Sequence, residues 1–267
     1  MLLVMHRQEH IQALRRRLAE GRGSLGCWLQ IPSSDVAEIV AAAGFDWVAV
    51  DAEHGAIDVS QYPDLFRAIE LSGALPLVRV AEAAEMACRR ALDAGAGGVI
   101  VPRVESASQA VALAAACRWP PNGTRGVGFS RANRYGTAFE EYKAEAAAPI
   151  FVAMIESDVG VKNVEEIAAA GVVDALFVGP YDLSASIGST GDLRSGEVIA
   201  ALDQIRVAAA RHGVPLGIHS VSTDPTELGN VLREGFQFVA YSTDALVLAS
   251  ALSAVVQLRI EDEGKRE

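Results

Sequence analysis

Three apolar runs in this sequence end in groups that can bind a metal or move a proton. Val48-Ala-Val-Asp51-Ala-Glu53-His54-Gly55 delivers two carboxylates and an imidazole where the chain turns. Met154-Ile-Glu156 and Phe177-Val-Gly179-Pro180-Tyr181-Asp182 each deliver a further carboxylate. Glu156 and Asp182 are read as metal ligands: two carboxylates plus waters suit Mg²⁺ or Mn²⁺ and leave positions open for substrate oxygens. The alternatives are a helix cap from Asp182 and an arginine partner for Glu156. Histidine as a residue type suits proton transfer, and Asp51 or Glu53 could fix the tautomer of His54, so it is read as an acid–base group rather than a loop histidine satisfied by backbone.

Arg79 lies near the end of Leu75-Pro-Leu-Val-Arg-Val80. Burying its charge requires an anion, either Glu53 or Glu105, or an enolate or carboxylate oxygen of a substrate. Trp28, in Leu25-Gly-Cys-Trp-Leu-Gln-Ile31, is a barrel-floor residue or a substrate wall. Asp93 ends a helical stretch, where a carboxylate opposes the helix dipole, which points to an external partner. The three lysines, Lys143, Lys162 and Lys265, all lie away from strand ends. Imine-forming aldolase chemistry and pyridoxal phosphate are therefore not expected, and a carbonyl reaction here needs a metal as electron sink.

These groups need a scaffold that gathers strand ends. Apolar runs begin near Leu25, Trp47, Leu75, Gly98, Pro149, Val173, Pro215 and Phe236, most of them just after a glycine that closes a helical stretch. Eight strand–helix units in about 250 residues predict one (β/α)8 TIM barrel domain over residues 1–267, an α/β fold, with an open doubly wound sheet as the alternative. The barrel brings every strand C-terminus to one mouth. Strand seven, Pro215-Leu-Gly-Ile218, then ends in His219-Ser220, and His219 with Tyr181 would furnish hydrogen-bonding groups there. Pairing of His219 with Asp224 is the plainer possibility. The segment 118–148 between strands four and five is long for a loop and carries Arg118, Arg125, Arg131 and Arg134, fitting either a site-flanking role or a solvated, subunit-contacting one.

A net charge of −11 argues against nucleic acid as a partner. Three cysteines without paired spacing fit a reducing cytoplasm. The N-terminal apolar run is too short for a signal peptide, and no apolar window is long enough to enter a membrane. Gly21-Arg-Gly23-Ser-Leu-Gly26 matches G-x-G-x-x-G but follows a helix and opens a strand, the reverse of a dinucleotide site. Residues 244–260 are apolar on more than one face, as expected of a helix packing on a neighbouring subunit of a homo-oligomer.

The chain resembles the class II, metal-dependent pyruvate aldolases of the HpcH/HpaI type. The matching segments are Gly26-Cys-Trp28-Leu, Asp51-Ala-Glu53-His54-Gly55, Val78-Arg79-Val80, Leu92-Asp93-Ala-Gly95-Ala, Arg118-Trp-Pro-Pro, Arg125-Gly126, Ile155-Glu156 and Gly179-Pro180-Tyr-Asp182-Leu183-Ser184. The resemblance implies cleavage of 4-hydroxy-2-oxo acids to pyruvate and an aldehyde, with a divalent metal (Mg²⁺, Mn²⁺ or Co²⁺) on Glu156 and Asp182. It implies acid–base work by His54, a keto-oxygen contact from Arg79, a contribution of Asp93 to an adjoining subunit's site, and pyruvate carboxylate binding by backbone near Gly179 to Asp182. It also implies dimers that exchange the C-terminal helix and assemble into hexamers. Met154 stands where the type enzymes carry glutamine, and Tyr181 where they carry a small residue. A citrate-synthase-like condensation and a non-catalytic 2-oxo acid binding barrel are the alternatives.

Overall fold

The computed structural model describes residues 7–264, with side chains through 257; Lys265 and the N-terminal residues 1–6 lie outside the described residues, as do the side chains of 258–260. Eight parallel strands close in sequence order into a barrel. They are β1 (Ser24–Leu29), β2 (Trp47–Asp51), β3 (Leu75–Arg79), β4 (Gly98–Val101), β5 (Ile150–Ile155), β6 (Ala175–Val178), β7 (Leu216–Ser220) and β8 (Phe238–Thr243). The expected (β/α)8 architecture is thus the observed one.

Successive strand residues face opposite sides, and this alternation decides what enters the barrel. Trp28, Trp47, Ala49, Leu75, Leu77, Ile100, Val152, Met154, Phe177, Phe238 and Ala240 form one buried interior cluster. Leu29, Val48, Val50, Val78, Val99, Val101, Ala153 and Val178 belong to a second, which packs under the helices. Extending the inward parity by one step places Asp51 after Ala49, Arg79 after Leu77, Glu156 after Met154 and Gly179 after Phe177. All four come to the inside of the mouth. At the opposite end the helix Arg7–Ala19 closes the barrel, sending Ile11, Leu14 and Leu18 into the interior cluster.

Gly26 is glycine because Trp47 fills the lower barrel: an added Cβ would meet the indole at 2.1 Å. The indole is fixed there by stacking on Phe238 (centroids 4.3 Å apart) and by donating from Nε1 to Ser24 Oγ at 2.8 Å.

Ser33 caps the helix Ser34–Ala42, and the left-handed glycine before β1 is Gly21. β7 is longer than expected and includes His219 and Ser220 within the strand, since Tyr241 of β8 still pairs with Ser220.

The connection after β4 is built rather than loose. It holds a 3-10 turn (Arg131–Gly136) and a helix (Phe139–Ala147). Arg125 is 1% exposed, bonded to the Cys117 carbonyl and the Tyr142 hydroxyl. Arg131 pairs with Glu70, and Arg118 donates to the Val172 carbonyl at 3.0 Å. Three of the four loop arginines are therefore structural anchors; Arg134 alone is exposed. The helix Asp244–Gly264 leaves Leu248, Leu252, Val255 and Val256 exposed. Among the described residues no helix is long and apolar enough to cross a membrane.

Candidate active site

The mouth is organised by one buried ion pair. The β2–β3 register sets Asp51 opposite Arg79. Arg79 donates from Nε to Asp51 Oδ1 at 2.9 Å and from Nη2 to Oδ2 at 2.7 Å, a bidentate clamp. Its Nη1 lies 3.4 Å from Glu53 Oε2. The guanidinium sits over the Trp28 ring, 4.5 Å from its centroid. Burial alone would raise the Asp51 carboxyl, but Arg79, Gln30 and the His54 backbone N–H hold it below the usual range. Burial likewise works against the Arg79 charge, and Asp51 outweighs it, so its pKa is raised. Asp51 is thus the principal partner of Arg79, with the expected Glu53 as a second and longer ion pair; the expected Glu105 instead meets Arg103.

Asp51 is consequently not the group that orients the His54 ring. Its Oδ1 accepts the backbone N–H groups of Glu53 and His54, both at 3.2 Å, which fixes the turn. The imidazole is exposed, with Nε2 3.8 Å from Glu53 Oε2. Of the two carboxylates expected beside it, Glu53 is the neighbour. Glu53 is pushed upward by burial, against Arg79 and His54, with Asp51 and Asp182 adding to the rise.

Glu156, at the end of β5, is 3% exposed. Its Oε1 accepts the backbone N–H of Arg103 at 2.7 Å, while its Oε2 is buried without a hydrogen-bond partner. Burial, then the charges of Glu53 and Asp182, push this carboxyl up to about 7 against the pull of the Arg103 N–H and Arg79. An uncompensated buried oxygen in the negative field of Glu53 and Asp182 is an acceptor that a hard divalent cation would satisfy. Gly179 completes the cradle, because a Cβ there would stand 2.4 Å from Oε2. Asp182 lies exposed in the first turn of the helix Pro180–Ile187, with Tyr181 beside it. Among the described residues no three His, Cys, Asp or Glu side chains form a ready-made metal cage. The two-carboxylate set leaves coordination to substrate oxygens or water instead.

His219 points inward from β7, its ring edge-on to Trp28 with centroids 5.9 Å apart. Burial, then Arg79, depress its pKa to about 4, so the imidazole is neutral near pH 7. Its Nε2 is buried without a partner, as is Nε1 of Trp28. Asp224 caps the helix Pro225–Arg233 rather than meeting His219. Tyr181 is 51% exposed.

The barrel therefore gathers Trp28, Asp51, Arg79, Glu156, Gly179 and His219 at one end, with His54, Pro180, Tyr181 and Asp182 on its rim. Asp93 is not among them. It closes the helix Glu85–Ala94, which runs back from the mouth, and Arg125 Nε lies 3.8 Å away. Two contributors escaped sequence reasoning. Gln30 follows β1 and donates to Asp51 Oδ2 at 2.8 Å; the polar-residue-after-strand signal that found Asp51 could have found it. Arg103 acts through its backbone, for which no side-chain signal exists. A cavity of about 440 Å³ lies at the opposite end, among the Arg7, Glu70, Arg131 and Glu145 ion pairs, away from these groups.

Comparison with known proteins agrees with this geometry. Residues 24–251 match the family model described as HpcH/HpaI aldolase/citrate lyase. The chain is 39% identical over 238 residues to a 2-dehydro-3,6-dideoxy-6-sulfogluconate aldolase of Pseudomonas putida, covering 88% of this chain and 92% of the relative. It is 35% identical to a hydroxypyruvate/pyruvate aldolase of Roseobacter denitrificans, with 89% and 93% covered. A crystal structure of a HpcH/HpaI aldolase/citrate lyase family protein from Burkholderia cenocepacia superposes with a TM-score of 0.85 at 34% identity, over 92% of this chain and 98% of that one.

Proposed function

The chain belongs to the HpcH/HpaI aldolase/citrate lyase family, and from that premise we propose that it is a metal-dependent aldolase cleaving 4-hydroxy-2-oxo acids to pyruvate and an aldehyde. It is a carbon–carbon lyase, and its aldolase relatives span nearly all of its length. The observation that carries the metal dependence is Glu156 Oε2, buried, unpaired and beside Asp182 and Glu53.

Glu156 and Asp182 would hold the divalent cation, with Mg²⁺, Mn²⁺ and Co²⁺ all compatible with carboxylate ligands. When bound, the ion supplies Lewis acidity that stabilises negative charge developing on the substrate's keto oxygen. Arg79 works on the same oxygen from the protein side. Asp51 and Glu53 hold its guanidinium in place before substrate arrives, so little reorganisation accompanies reaction. His54, on the rim, takes the 4-hydroxyl proton as the C3–C4 bond breaks; the aldehyde leaves, and a proton returned to C3 of the remaining enolate gives pyruvate. The backbone N–H groups opening the helix Pro180–Ile187 receive the pyruvate carboxylate. Trp28 floors the site under Arg79.

Removal of metal tests the reading. Chelated protein should release no pyruvate from 4-hydroxy-2-oxo acids and should recover on addition of Mg²⁺, Mn²⁺ or Co²⁺. Activity that survives chelation but is trapped by borohydride with substrate would replace it with imine chemistry. That outcome is not expected, because Lys143 and Lys162 pair with Glu140 and Asp158 on exposed helices.

His219 and Tyr181 are assigned to the acceptor side. A polar group inside the mouth penalises an apolar acceptor that leaves it unpaired. His219→Leu should therefore lower kcat/KM for a hydroxyaldehyde relative to an aliphatic aldehyde of similar size by about tenfold. An unchanged ratio would remove His219 from acceptor choice.

Assembly completes the reading. Asp93 stands away from its own mouth and the C-terminal helix exposes an apolar face, which supports homo-oligomers, dimers built into hexamers, in which Asp93 serves an adjoining subunit. A monomeric mass by light scattering at micromolar concentration would refute this. Three buried unpaired cysteines suit a reducing compartment, and we assign the protein to the cytoplasm.

A further inference from the structure

Arg103 follows β4 with φ at 49°, in the left-handed region that residues with a Cβ avoid. Such a conformation costs on the order of 1 kcal/mol and persists only where the surroundings fix it. The fixing contacts are both on β5 and the residue after it. The Arg103 N–H donates to Glu156 Oε1 at 2.7 Å, and the next amide, Val104 N–H, donates to the Met154 carbonyl at 3.0 Å. In an extended strand successive N–H groups point to opposite sides. The turn at Arg103 lets both point the same way. The side chain contributes little to this: it is 67% exposed and turned toward Glu105, at 3.4 Å.

Glu156 is therefore held by one oxygen and left open at the other. Oε1 is occupied by the Arg103 amide, and Oε2 is buried, unpartnered and kept clear by Gly179. We propose that the left-handed turn at Arg103 is a positioning device for the metal ligand: its N–H anchors Oε1 so that Oε2 alone is presented to the divalent cation. This rests on the reading of Glu156 as a ligand and adds a residue that acts through it. It makes Arg103 a positioning residue whose backbone conformation matters and whose side chain does not.

Substitution can separate the two. Arg103→Gly keeps the turn at no steric cost, Arg103→Asn tolerates it and Arg103→Ala carries the same Cβ penalty as arginine, whereas β-branched Arg103→Val disfavours it most. Full-length proteins, stripped with chelator, would be titrated with Mn²⁺ by calorimetry, and their melting temperatures compared in chelator. The glycine and asparagine variants should bind within about twofold of wild type. The alanine variant should bind like wild type, and the valine variant roughly tenfold more weakly, the scale on which loss of a ligand's hydrogen-bond partner acts. If the valine protein does not fold, Arg103→Thr, also β-branched but polar, decides against the glycine variant. Equal Mn²⁺ affinity across the folded variants, with wild type binding normally, overturns the positioning role and leaves the metal reading standing. Wild type that binds no Mn²⁺ removes both.

Discussion

Glu156→Gln is expected to abolish metal-dependent cleavage, lowering kcat/KM by roughly 10³-fold, because a bound divalent ion supplies several kcal/mol of charge stabilisation and each 1.4 kcal/mol is a decade in rate. The same substitution should not harm the metal-free fold. Burial and the neighbouring carboxylates of Glu53 and Asp182 already disfavour the Glu156 charge, so a neutral amide of the same shape relieves repulsion. Melting in chelator should thus occur at the wild-type temperature or above it, while Mn²⁺ should raise the melting temperature of wild type only. Asp182→Asn should lose activity in parallel without the gain in stability, since its side chain is exposed. Retained Mn²⁺ stabilisation in both variants would place the ion elsewhere.

How much of this was legible beforehand depends on which physical information a residue carries alone. The barrel was legible because its signals are local: apolar runs of strand length, glycines at helix ends, and polar groups where runs stop. Gly44, Gly73, Gly95, Gly171, Gly213 and Gly235 all take positive φ, as their placement after helices required. The convergence of Glu156, Asp182, Arg79 and His54 on one mouth followed from the fold class. Pairing within the mouth was not legible, because it depends on register. Asp51 meets Arg79 only because the β2–β3 alignment sets them side by side, and a two-residue shift would have favoured Glu53. The arginines after β4 were visible as a basic loop, yet the Glu70 partner of Arg131 and the Val172 carbonyl that Arg118 meets lie far off in sequence. Arg103 carries no signal at all, since its part is a dihedral angle.

Arg79 is the residue for which structural and chemical roles are hardest to separate, and a set of three variants is expected to separate them. Arg79→Leu should destabilise the protein by about 3–5 kcal/mol, because it strands a buried carboxylate: Asp51 is wholly buried and its principal bonds go to the guanidinium. Activity should fall with it, for either reason. Arg79→Lys keeps the charge but cannot clamp both Asp51 oxygens and also face a substrate oxygen. It should therefore lose less stability, with kcat lower by roughly 10²–10³-fold, the range seen when one preorganised donor is withdrawn from developing oxyanion charge. The deciding variant is Asp51→Asn combined with Arg79→Leu. Removing the stranded charge should restore much of the stability lost in Arg79→Leu, and double-mutant comparison by urea denaturation measures that coupling. It should restore none of the activity, because no guanidinium remains to meet the keto oxygen. If the double variant instead regains cleavage along with its fold, Arg79 serves only as the counter-ion of Asp51, and the charge on the substrate must be stabilised by other groups at the mouth.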